Sequence, residues 1–259
     1  MSSNRVRKKN NPVKVGDVFP INSGGTVTVT EYKNAKEVYI VFNDEHQHRS
    51  VTQAVRLREG MIFNPYNPSV AGRGYLGHGK YCTSLSGENK KIIEYWRGMM
   101  ARCYEPLALS KRPTYENCEV VELWHNFQNF CDWVKNHSHF GLGYHLDKDL
   151  LSGCNKTYSP ETCTFLPQEL NTALQLGREK KDNLPVGVFK RGSGRYRAIL
   201  AENGKLVHYG THDTIEQASA AYVKAKERYV KNKALEWANR IEWRAFKALM
   251  EWKVYPDTV

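Results

Sequence analysis

The run Tyr144-His145-Leu146-Asp147-Lys148-Asp149 places a histidine and two carboxylates at the end of an apolar, strand-like stretch. An irregular loop rich in Gly, Asn and Ser follows, then Tyr158-Ser159-Pro160-Glu161-Thr162-Cys163-Thr164-Phe165-Leu166-Pro167, and then a helical segment carrying Asn171. A carboxylate on a strand, a loop and an amide on a helix supply oxygen donors in the order a hard divalent cation needs. Such a cation can be held against a phosphodiester with open coordination positions. Outside that context Asp147-Lys148-Asp149 reads as a solvated charge cluster and Asn171 as a helix cap.

The charge balance supports an anionic partner. Among 259 residues, 38 Lys and Arg stand against 27 Asp and Glu, a net charge of +11. That is the electrostatic footprint of a polyanion binder. A hydrophobic content of 41% is enough for real cores. No run of 18 apolar residues occurs, so no membrane span is expected. The first twelve residues carry Arg5, Arg7, Lys8 and Lys9 with no apolar segment behind them. They read as a basic arm and not a secretory signal, either lying along phosphates or serving as a solubilising tail. Six cysteines (Cys82, Cys103, Cys118, Cys131, Cys154 and Cys163) include no CxxC pair. Free thiols in a reducing compartment are expected, and a structural Zn²⁺ is disfavoured for want of a close pair.

The elements that would position this chemistry fall into segments. Over 13–68, Val27, Val29, Val38, Ile40 and Phe42 alternate with polar residues, and Ser23-Gly24-Gly25 and Asn43-Asp44-Glu45 mark turns. This predicts a small β-barrel-like module or curled antiparallel sheet. Residues 69–90 read as a Gly/Pro linker. Its formal GxGxxG at Gly72, Gly74 and Gly77 lacks the strand before and helix after that a dinucleotide site needs. Residues 91–181 open on two helical patterns, Ile92, Ile93, Trp96, Met99, Met100 and Cys103, then Trp124, Phe127, Phe130, Cys131 and Val134. These aromatics at helical spacing read as core. Residues 182–233 read as three short strands, with a tight hairpin at Glu202-Asn203-Gly204, and an amphipathic helix through Ala218, Ala221, Tyr222 and Ala225. In 234–259, Leu235, Ala238, Ile241, Ala245, Leu249 and Trp252 recur at helical intervals, for packing on the chain itself or for a dimer contact. The fold class is α+β. No P-loop, GxSxG, HExxH or EF-hand pattern occurs.

Four elements carry a resemblance. Trp96-x-x-Met99-x-x-Arg102-Cys103-Tyr104, Cys118 with Trp124 and Phe127, Leu146-Asp147-Lys148, and Tyr158-Ser159-Pro160-Glu161-Thr162-Cys163 resemble a phage HNH-like family over roughly 91–175. The chain is also similar to intron-encoded HNH (ββα-metal) homing endonucleases. That resemblance implies a Mg²⁺ or Mn²⁺ site with Asp147 as the carboxylate ligand and Asn171 as the helical ligand. It also implies Phe165 in place of the helix-start Trp and Asn155 as the loop residue bracing the hairpin. Lys148 occupies the place of the histidine that deprotonates the attacking water. A lysine is ordinarily charged near neutrality and cannot take that proton. His145 or Asp149, each two residues from Asp147, could serve as base. Alternatively the metal alone lowers the pKa of water while Lys148 stabilises charge, or the hairpin survives as a DNA-docking scaffold.

Gly187-Val188, Gly194-x-Tyr196-x-Ala198, Gly210-x-x-Asp213-Thr214 and Glu216-x-Ala218-x-x-Ala221-Tyr222 resemble the AP2/ERF domain that accompanies phage homing endonucleases. In that family the sheet enters the major groove of double-stranded DNA. The resemblance implies DNA contacts from Lys190, Arg191, Arg195, Tyr196, Arg197, Lys205 and His208. It implies a sequence-directed nicking or cleaving enzyme in the cytoplasm of a host bacterium. The alternative is a non-catalytic DNA-binding protein on the same scaffold.

Overall fold

In the computed structural model the described residues are 12–81, 87–137, 139–140, 143–153, 155–176 and 184–254. The basic arm up to residue 11, part of the 69–90 linker, Cys82 and Cys154 lie outside them. The chain mixes helix and sheet, an α+β protein, in two compact units, 1–80 and 81–259. Among the described residues no helix is long and apolar enough to cross a membrane.

The first unit is an antiparallel meander of β1 (Val18–Pro20), β2 (Thr26–Asn34), β3 (Glu37–Phe42) and β4 (Arg49–Thr52), followed by α1 (Ala54–Glu59). Val27, Val29, Val38, Ile40 and Phe42 point to one face and meet Ala54 and Leu57 of α1 in a buried core. Period two in the sequence is thus one covered face in space. The sheet is open: its order is β1-β2-β3-β4, and β1 does not pair with β4 among the described residues. This corrects the barrel-like expectation. Edge strands of three and four residues are too short for the tilt and stagger that closure demands.

The second unit begins with α2 (Gly87–Tyr104) and α3 (Pro106–Lys111), then β5 (Glu119–Val120) and α4 (Phe127–Asn136). Next come β6 (His145–Asp147), α5 (Asp149–Ser152), β7 (Thr157–Tyr158), β8 (Thr164–Leu166) and α6 (Gln168–Leu174). Strands β6 and β8 pair antiparallel with Asp147 opposite Thr164, and β5 pairs with β7 in parallel. The aromatic residues at helical spacing are core: Trp96, Trp124, Phe127 and Phe130 are fully buried, and Phe165 of β8 is buried with them. Trp96 Nε1 donates to the Trp124 carbonyl at 2.7 Å, which fixes α2 against α4's approach.

Then β9 (Val188–Lys190), β10 (Tyr196–Glu202) and β11 (Lys205–His212) form a three-stranded antiparallel sheet of order β11-β10-β9, backed by α7 (Ile215–Trp237). The β10–β11 hairpin turns on Asn203 (φ +50°) and Gly204 (φ +77°), left-handed positions that Asn and Gly adopt most readily. Gly187 (φ +77°) is required by contact as well, since a Cβ there would stand 2.0 Å from the Tyr222 ring. Thr214 caps α7, its side chain accepting from the Gln217 N–H. The tail is not one helix. α7 ends at Trp237, Ile241 is extended, and α8 (Trp243–Glu251) restarts after Glu242. The break lets the Glu242 carboxylate reach Thr164 Oγ1 at 2.8 Å and His137 Nε2 at 3.2 Å, bonds a continuous helix would not direct there.

Lys226 of α7 is buried, and its ammonium donates to the Gln175 carbonyl at 2.7 Å. Burial brings its pKa down from 10.5 to about 8. The unfolded chain therefore holds this proton more tightly, and stability should rise as pH climbs from about 8 to 10.5. Lys226→Met is expected to stabilise the protein by ~1–3 kcal/mol at pH 7 and to flatten that slope in thermal melts across the alkaline range.

Candidate functional site

The β6–β8 hairpin and α6 bring the strand carboxylate and the helical amide into one substructure, with α6 packed against β6. Asp147 ends β6. Its Oδ1 accepts from the Leu150 N–H at 2.9 Å, which starts α5 and fixes the carboxylate's direction. Burial raises its pKa above the ordinary 3.8, and the Leu150 bond only partly offsets this. Such a carboxyl group is stabilised by an added positive charge.

Asn171 lies on α6. Its Oδ1 is buried and has no hydrogen-bond partner among the described residues. An unsatisfied buried carbonyl oxygen forfeits ~1–3 kcal/mol. A cation would be a partner for it. Asp147 and Asn171 carry oxygen donors of the kind that Mg²⁺ or Mn²⁺ takes. Among the described residues no three His, Cys, Asp or Glu side chains converge on a metal position.

His145 is exposed, at the other end of β6 on the same strand face as Asp147. Lys148 behaves differently. Only 7% of it is exposed, and its ammonium pairs with Asp149 and sits 5.5 Å from the Tyr158 ring centroid. Burial lowers its pKa, but the Asp149 hydrogen bond and charge more than reverse this, so it stays protonated. Asp149 is mostly exposed and held by Lys148. Asn155 Oδ1 accepts from the Thr157 N–H at 2.9 Å, bracing the turn into β7.

Residues without any motif complete the surroundings. Glu242 accepts from Thr164 Oγ1 and from Arg244 Nε, the latter at 2.5 Å, and pairs with His137. The His139 N–H donates to His137 Nδ1 at 3.3 Å. Arg244 also donates to the carbonyls of Pro160 and Glu161 at 3.2–3.3 Å. Thr164 is directly opposite Asp147, so this network supports the hairpin from the tail. Burial would raise the Glu242 carboxyl, but its hydrogen bonds to His137, Arg244 and Thr164 win and bring it to about 2. Its contribution is therefore present above about 4.5 and lost as pH falls through about 2. Glu242→Gln is expected to cost ~2 kcal/mol at pH 7. In urea titrations that gap should close as the pH is lowered through this acid window.

The buried thiols are chemically quiet. Cys103, Cys131 and Cys163 are each pushed up to about 12, chiefly by burial. Cys118 is also buried, and all four are free.

On the three-stranded sheet, the register sorts the cationic residues. Ala198 and Leu200 face α7, so Arg197 and Ile199 lie on the opposite face, and His208, paired with Ile199, joins them. Tyr196 alternates with the α7-facing set, and Lys190 and Lys205 pair with Tyr196 and Glu202 on that side. Arg195 is exposed, pairs with Asp213 at 2.7 Å and donates to the Thr211 carbonyl. Arg191 is exposed at the β9–β10 turn, where its N–H donates to the Arg195 carbonyl at 2.8 Å. The seven residues thus do not share one surface; Arg197 and His208 do.

Comparison with family models, curated proteins and solved structures gives no match.

Proposed function

We propose that this chain is a metal-dependent DNA endonuclease of the HNH homing type, with an AP2-like sheet that docks on double-stranded DNA. The observation that carries this reading is the orphaned Asn171 Oδ1 on the helix packed against the strand that ends in Asp147. Buried polar atoms without partners are uncommon and costly, and this one belongs to the residue to which the HNH resemblance gives the role of metal ligand. Asp147 and Asn171 would hold Mg²⁺ or Mn²⁺. Bound there, the cation supplies positive charge for activating water and for the developing phosphorane. His145 takes the proton from the attacking water: Lys148 stays charged, and Asp149 is tied to Lys148. Arg197 and His208 contact DNA from the face away from α7, and exposed Arg191 and Arg195 hold phosphates at its rim.

A second reading rests on Lys148. Its ammonium is buried and paired inside the fold, as in a scaffold that has given up its catalytic histidine position and only binds DNA. Supercoiled plasmid incubated with the protein separates the two. Conversion to open-circle or linear DNA in MgCl₂ but not in EDTA is the expected result. Intact plasmid retarded in a gel under both conditions would leave binding without chemistry.

A further inference from the structure

The first unit holds a ring cluster that the metal centre does not use. Asp44, in the β3–β4 turn, accepts through Oδ1 from the His46 and Gln47 N–H groups at 3.1 and 3.0 Å. Gln47 is left-handed (φ +45°), so the turn is fixed in one tight form. Asp44 Oδ2 accepts from Asn64 Nδ2 at 2.7 Å, and Asn64 Oδ1 accepts from the Tyr66 N–H at 3.0 Å. These bonds pin the segment after α1 to the turn.

The consequence is a stack. The His46 and Tyr66 rings lie 4.1 Å apart at 23°. Tyr75 stands 5.8 Å from both, and His48 is 4.8 Å from His78. The His46 side chain is 32% exposed, so the column reaches the surface at that end. Beside it lies a cavity of about 260 Å³ lined by Asn43, Asp44, His46, Asn64, Tyr66 and Asn67. The Asn67 side-chain amide holds no hydrogen bond among the described residues. Its paired donor and acceptor match the edge of a nucleobase, and a ring column beside such an edge is how unpaired bases are held.

We propose that this cavity and the His46–Tyr66 column form a binding site for an unpaired nucleobase of a DNA strand. The base stacks on the column and presents its edge to Asn67. The choice of DNA over other sources of nucleobases rests on the proposed function above; the site itself does not.

The test is fluorescence anisotropy with labelled (dA)₁₂ and with a blunt duplex of equal length, both in EDTA so that no cleavage intervenes. Tyr66→Leu and His46→Ala are expected to weaken binding of the single strand about tenfold or more and to leave duplex binding unchanged, with Tyr66→Phe close to wild type. The His46 backbone N–H, not its ring, donates to Asp44, so replacing the ring keeps the hydrogen bonds of the turn. Single-strand binding unaltered in both variants, or lost in step with duplex binding, would overturn this site. A wild-type protein that binds neither probe would overturn it together with the DNA reading.

Discussion

Replacing Asn171 with alanine is expected to lower metal-dependent DNA cleavage at least about a hundredfold, ~2.7 kcal/mol of transition-state stabilisation, while moving the melting temperature by only a few degrees. The two halves of that result follow from one atom. Asn171 Oδ1 is buried and has no hydrogen-bond partner among the described residues, so its removal forfeits no hydrogen bond seen there. Deleting it relieves a desolvation penalty of ~1–3 kcal/mol. That relief is of the same order as the packing lost with a small side chain, so the two offset each other. Asn89 Oδ1, Trp124 Nε1 and Ser152 Oγ are orphaned in the same way among the described residues, and Asn171 is set apart by its place on the helix packed against the strand of Asp147. Kinetics with a nicking assay, beside calorimetry of the same preparations, check both halves. Equal losses of activity and stability would make Asn171 a structural residue.

Phe165→Ala is expected to destabilise the second unit by ~3–5 kcal/mol, the usual cost of deleting a fully buried phenyl group. That is a large share of the ~5–15 kcal/mol that holds a domain together. Phe165 is completely buried on β8. The rings of Tyr95, Trp133, His137 and Phe140 surround it at 5.1–5.8 Å between centroids. It pairs with Leu146 in the β6–β8 register, so the strand carrying Asp147 is anchored through it. Urea denaturation should show a lower midpoint. Phe165→Leu, which refills most of the volume, should recover more than half of the loss. A Phe165→Ala midpoint equal to wild type would mean that the hairpin is not seated on this core.

Much of this arrangement was legible in the sequence because it is local. Asn203-Gly204 names its own turn, since those residues tolerate the left-handed backbone that the hairpin requires. Apolar alternation over Val27–Phe42 gives a covered sheet face, and Trp96, Trp124 and Phe127 at helical spacing give a core. The order of Asp147 on a strand and Asn171 on a later helix was readable in the same way. What escaped was long-range. Ile241, Ala245 and Leu249 keep a helical period across the break before α8. Nothing local marks Glu242 as the residue drawn out to Thr164 and His137, 78 and 105 positions away. The inward turn of Lys148 depends on Tyr158 and the burial around it, and a charged residue in a charged run gives no hint of that. Whether a four-stranded meander closes depends on edge-strand length and stagger, which alternation does not encode.

The most direct test of the central claim is a change of metal preference at Asp147. A thiolate is a poor ligand for Mg²⁺ and a good one for softer divalent cations. Asp147→Cys should therefore cleave plasmid DNA negligibly in Mg²⁺ and recover in Mn²⁺ or Cd²⁺, while the wild-type protein works in Mg²⁺. A variant that cleaves in Mg²⁺ as well as wild type would show that Asp147 does not hold the metal and would contradict the account.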